Sequence, residues 1–287
     1  MVLQSTRKWS VLFCCLLALA VLAGCQSEQT ADPIAAVTEE GKLKIVTTIF
    51  PPYDFARQIA GGAADVKMLL RPGAESHSFE PTPQDIKDIM ACDLFIYTGG
   101  ENDVWVDDIL NTMEEERPDT LKLLDCVPTV TEELVAGMEH GHAEESHSPE
   151  TASVDEHVWT SPQNAVQIVQ AITDLMVQKD PSHTQSYQQN CASYVEQLEA
   201  LDAAFRQVVA DSQRQTVLFG DRFPFRYLAD AYGLQYYAAF SGCSSETEAS
   251  AATIAFLIDK VEEEQLPVVF TMEFSNGKIA DSISEAT

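Results

Sequence analysis

The sequence is poor in positive charge. It holds 17 lysines and arginines against 45 aspartates and glutamates, a net charge of −28 over 287 residues. So acidic a chain repels nucleic acid and anionic lipid and gathers cations. There is no HExxH run and no residue that stands out as a general base, which argues against a zinc hydrolase. No two cysteines are spaced CxxC, so a thiolate zinc site is not indicated. No repeat or aromatic stripe marks an adhesive surface, the third class of function to be weighed. The one long apolar run, residues 11–23, is too short for a stable membrane span.

That run follows Arg7 and Lys8 and ends in Leu22-Ala23-Gly24-Cys25. Charge, apolar core and small residues form a secretory signal over 1–24. Small residues before a cysteine resemble the lipobox of bacterial lipoproteins. That likeness implies diacylation of Cys25, which tethers the chain to the outer face of the bacterial cell membrane without spanning it. Residues 25–40 then read as a flexible leash. Loss of Arg7 and Lys8 leaves 15 basic against 45 acidic residues, a net −30. Cys14 and Cys15 go with the signal. Cys92, Cys126, Cys191 and Cys243 remain, and an extracytoplasmic setting permits but does not require their pairing.

From residue 43 onward, β-rich runs alternate with helical ones. Strands are expected at 43–49, 66–70, 94–97 and 121–124, with helices at 53–60, 82–90 and 105–113. Thr82, Pro83 and Asp85 form a near capping box for the second helix. This alternation predicts an α/β fold with parallel sheets. Residues 137–156 break it: the stretch is acidic, without apolar period, and carries His140, His142 and His147. It reads as a mobile, metal-attracting loop. After a helix from Ser161-Pro162, residues 182–211 keep helical spacing throughout. That is roughly 45 Å, long enough to bridge two lobes. Alternation resumes with strands at 216–219, 234–239 and 267–272, helices at 225–232 and 249–264, and the start of a helix at 279–286. The helix at 249–264 is expected to be capped from residues 244–248. The chain therefore divides into a first lobe at 41–180, a connecting helix at 181–211 and a second lobe at 212–287, which reads as incomplete.

In an open parallel sheet, ligands bind beyond the carboxyl ends of the strands. His77 follows one such end. His157 follows the long loop and precedes a helix. Asp221 and Glu273 directly follow the expected strands 216–219 and 267–272. Two candidates come from each lobe, as a protein closing on a cation requires. Imidazole and carboxylate together suit zinc; more carboxylate moves the preference toward manganese. His183 reads as merely exposed.

The blocks TTIFPPYDFARQIAG, MLLRPGAESHSFEPTPQDI, DLFIYTGGENDVW, the His-rich loop and DEHVWTSPQNA resemble the zinc/manganese solute-binding lipoproteins of ABC importers, of ZnuA-like type. The resemblance runs from about residue 42 to the last. It implies two (β/α) lobes joined by one long rigid helix, a metal in the cleft, no enzymatic activity, and docking of a monomer on an ABC permease. It assigns His77 and His157 as the first two ligands. The family's third ligand falls at Arg222, which cannot bind a cation. Asp221, one residue earlier, is the substitute. Glu273 is offered as the fourth, close to the family's aspartate. The His-rich loop favours Zn2+ as cargo, with Mn2+ as the alternative.

Overall fold

The computed structural model describes residues 41–74, 79–113, 117–138, 153–244, 246 and 248–287. The expected signal, Cys25, the leash, His77, His140, His142 and His147 lie outside the described residues. Among the described residues no helix is long and apolar enough to cross a membrane.

The first sheet is parallel, with strands β1 (Leu43–Thr47), β2 (Ala64–Met68), β3 (Leu94–Tyr97) and β4 (Asp119–Lys122) in the order β2-β1-β3-β4. Ile45 pairs with Val66 on one side and Leu94 on the other. Successive side chains point to opposite faces of a strand. Ile45, Leu94 and Ile96 therefore pack into one core with Ile59, Ile168, Ile172 and Met176. Val46, Phe95 and Tyr97 face the other way, against Ile89, Val106 and Leu110. Burial on both faces is why β1 and β3 read as continuous apolar runs.

Helices α1 (Phe50–Ala60), α2 (Pro83–Met90) and α3 (Val104–Thr112) flank this sheet. Helix α1 begins three residues before the expected start. Pro51 and Pro52 sit in its first turn, where a missing N–H costs nothing. The Thr82 cap is as expected: its hydroxyl accepts from Asp85 N, and the Asp85 carboxylate takes Thr82 N.

Helix α4 (Pro162–Lys179) leads into the 28-residue helix α5 (Thr184–Asp211). Tyr187, Cys191 and Leu198 of α5 belong to the first lobe's core. Further along, Asp202 accepts the Tyr232 hydroxyl at 3.0 Å and Phe205 meets the Tyr232 ring at 5.4 Å. One helix thus touches both lobes. His183, at its start, is exposed and pairs with Asp180.

The second sheet pairs β5 (Thr216–Phe223) and β6 (Gln235–Ser241) in parallel around α6 (Arg226–Tyr232). Helices α7 (Ala251–Glu264) and α8 (Lys278–Ala286) cover it, with Leu257 and Ile283 buried beside Leu218. Two expectations need correction. The expected strand 267–272 is reduced to one parallel bridge, Phe219 with Phe270. Pro267 has no N–H to give, and the Met272 N–H is taken by the Asp221 carboxylate instead of a neighbouring strand. Helix α7 is capped by Ser250, whose hydroxyl accepts from Thr253 N, and not from 244–248. The four cysteines Cys92, Cys126, Cys191 and Cys243 are all free.

Candidate metal centre

His157 lies where the polypeptide returns from the acidic loop to the sheet, just before the single turn Val158–Thr160 and helix α4. It is 5% exposed, and Asp155, two residues earlier, is 1% exposed. One Asp155 carboxylate oxygen takes the His157 backbone N–H at 2.8 Å and sits 3.0 Å from ring Nδ1. A carboxylate only accepts, so this contact calls for the proton on Nδ1 and puts the lone pair on Nε2. That tautomer suits ligation of a metal through Nε2. Trp159 approaches the ring edge-on at 5.5 Å. From the second lobe, the turn after β6 presses against the same imidazole. A Cβ on Gly242 would stand 3.3 Å from His157 Cε1 and 2.9 Å from the Phe223 carbonyl oxygen. Only glycine allows that approach.

His157 also borders a cavity of about 30 Å³ shared with Ile49, Thr98, Asn102, Asp103, Glu156 and Trp159. That is room for about one water. Among the described residues the buried Thr98 hydroxyl has no hydrogen-bond partner. Asp103 accepts from Thr98 N and Gly99 N, both at 2.9 Å, and so clamps the loop after β3. Glu156 takes Asn102 N at 3.1 Å and Asn102 Nδ2 at 2.6 Å. Together they tie the His157 segment to the strand ends of the first sheet.

Burial pushes the Asp103 carboxyl up to about 6, helped by the neighbouring Glu156 charge and opposed by the Gly99 and Thr98 N–H groups. Burial raises Glu156 as well. The native state therefore holds a proton on Asp103 that the unfolded chain has released above 3.8. The contribution to stability is complete below 3.8 and is lost as pH rises through 6. We expect Asp103→Asn to flatten the fall in unfolding free energy between pH 4 and 7 by on the order of 2 kcal/mol. Urea titrations of both proteins across that range check this. An unchanged slope would show that Asp103 is ionised throughout.

The remaining site residues were not all placed as the sequence suggested. His77 lies outside the described residues; two positions later in the chain, Phe79 packs edge-on against Trp105 at 5.7 Å. Asp221 does not follow a strand. It is buried inside β5, which resumes pairing after an irregularity and runs on to Phe223. One of its carboxylate oxygens takes Arg222 N at 2.8 Å and the other takes Met272 N at 3.2 Å. Asp221 thus anchors the turn that carries Glu273. Glu273 itself is exposed, next to Phe274 in a left-handed conformation at φ 65°. Arg222 turns its guanidinium to the Ser244 carbonyl at 3.2 Å. Among the described residues no three His, Cys, Asp or Glu side chains come together to hold a metal ion.

Sequence reasoning missed Asp155 as the partner of His157, although the spacing DEH placed an acid two residues away. It also missed the loop 98–103, whose polar groups meet His157 only through the fold.

The family model described as zinc-uptake complex component A, periplasmic (ZnuA), matches residues 45–287. The chain is 32% identical over 279 residues to the zinc-binding lipoprotein AdcA of Streptococcus pneumoniae, covering 97% of this chain and 53% of that one. It is 32% identical over 280 residues to the high-affinity zinc uptake system protein ZnuA of Bacillus subtilis, covering 97% of this chain and 85% of that one. The chain thus spans about half the length of the AdcA relatives it matches. The crystal structure of the Zn(II)-bound ZnuA-like domain of Streptococcus pneumoniae AdcA superposes with a TM-score of 0.68 at 30% identity, covering 86% of this chain and 84% of that domain. The two lobes, the parallel sheets and the long helix agree with this match, and the chain belongs to the ZnuA family of zinc-uptake components.

Proposed function

We propose that this chain captures a divalent metal ion outside the cytoplasm and hands it to an ABC permease for import. The cargo is Zn2+. The observation that carries this reading is the buried Asp155–His157 pair, which presents an imidazole with its lone pair on Nε2 at the junction of two lobes. A carboxylate partner of this kind fixes the tautomer and orientation of a ligating imidazole. His77 and Glu273 are the further ligands of this reading, with Asp221 holding the turn that carries Glu273. The strong negative charge raises the local cation concentration. The segment with His140, His142 and His147 collects zinc for the cleft. A lipid on Cys25 keeps the monomer at the membrane beside its permease. The division into lobes at 41–180 and 212–287, joined by 181–211, follows from the same reading, as does the absence of catalysis.

The test is calorimetric titration of Zn2+ and Mn2+, separately, into the metal-free full chain. One tight zinc site with weak manganese binding is expected. Tighter manganese binding would keep the importer reading and overturn the cargo. No tight site for either ion would sink both.

A further inference from the structure

Tyr227 belongs to α6, in the lobe that follows the long helix, yet its ring is part of the first lobe's core and is 5% exposed. Its hydroxyl donates to the Asp155 carbonyl at 2.8 Å and accepts from Val130 N at 3.2 Å. Val130 and Asp155 are themselves paired, Asp155 N giving to the Val130 carbonyl at 2.9 Å. The next rung is the antiparallel bridge of Thr131 with Val154. The phenol hydroxyl therefore completes a closed ring of hydrogen bonds at the end of a two-rung ladder. Asp155 is the corner of that ring, and its carboxylate holds the His157 backbone N–H and faces ring Nδ1.

The second lobe grips this ladder at two more points. Cys243 N donates to the Glu132 carboxylate at 2.8 Å, and Arg226 pairs with Glu133 at 3.3 Å. Neither of these contacts reaches Asp155. Tyr227 does.

We propose that Tyr227 is a positioning residue for the metal: by fixing the Asp155 backbone from the opposite lobe, its hydroxyl sets the tautomer and rotation of the His157 imidazole. Metal affinity then depends on the lobes being together, because their separation withdraws the hydroxyl that fixes the Asp155 backbone. This inference rests on the reading of His157 as a ligand. Burial pushes the phenol up to about 12, so it remains a donor throughout the working pH range. A buried group with two hydrogen bonds to backbone atoms also has little freedom to do anything else.

The experiment compares the full chain with Tyr227→Phe, Asp155→Asn and the double variant. Zinc affinity is measured by chelator competition, and the His157 ring by long-range 1H–15N NMR of the metal-free proteins. Removing a partner of a ligating histidine weakens metal binding by about 10- to 100-fold. Tyr227 acts one bond further out, so about tenfold is expected for Tyr227→Phe. Its His157 signals should move from one tautomer toward a mixture. In the Asp155→Asn background the same substitution should add little, since both changes break one linkage. Unchanged His157 signals in Tyr227→Phe would overturn the proposal, whatever the affinity. So would full additivity with Asp155→Asn, which marks a general packing role. If the wild type binds no zinc, the proposed function fails on its own, and the NMR comparison still decides whether Tyr227 positions the ring.

Discussion

Replacing His157 with alanine is expected to weaken zinc binding by about 100- to 1000-fold. Protein zinc sites bind with roughly 10–16 kcal/mol spread over about four ligands, or about 3 kcal/mol each. Each 1.4 kcal/mol is tenfold in affinity. The loss should fall at the upper end because His157 is held by a buried carboxylate. The substitution removes the ligand and also leaves the Asp155 carboxylate, 1% exposed, without its ring donor. Some stability of the metal-free protein is lost with it. Chelator competition measures the affinity, and circular dichroism shows whether the variant is folded. A folded variant within threefold of wild type would remove His157 from the site.

The largest effect on stability is expected at Gly220, in the middle of β5. A Cβ there would stand 2.6 Å from the Ala280 backbone N and Cα. Backbone cannot swing aside as a side chain can. Helix α8, which buries Ala280 and Ile283 against the second sheet, would have to back away. Gly220 N also donates to the Phe270 carbonyl at 2.9 Å, one of the two hydrogen bonds that hold the bridge to Phe270. Over-packing of this kind costs about 1–3 kcal/mol, and Gly220→Val should reach the top of that range. For a chain of this size that lowers the melting temperature by roughly 6–12 °C. Because the Glu273 turn follows Phe270, zinc affinity should fall as well. A melting temperature within 2 °C of wild type would mean that α8 does not rest on β5 in solution.

Much of the architecture was written locally. Strands β1 and β3 announced themselves as apolar runs between turn residues, and the Thr82–Asp85 pattern gave the start of α2, because caps and periodicity act within a few residues. Helix α5 was legible for the same reason: its apolar residues recur at helical spacing over 28 positions. His157 was legible as a candidate because it stands alone before a helix and within a recognisable block.

The fate of the second lobe's acids was not legible. Asp221 was read as a strand-end ligand, but β5 continues past it, and its carboxylate serves the backbone of Arg222 and of Met272, 51 residues away. The strand expected at 267–272 keeps one backbone bridge at Phe270, and at Met272 the fold supplied a side chain instead. Tyr227 looked like one more aromatic on an apolar helix. Its contact with Asp155 spans 72 positions in the chain, which no local pattern encodes. The sequence by itself determined most of the strands and helices, the positions of His77 and His157 in their blocks, and the family. Only the tertiary structure decided which polar group faces which, because burial and hydrogen bonding between distant segments depend on how the two lobes come together.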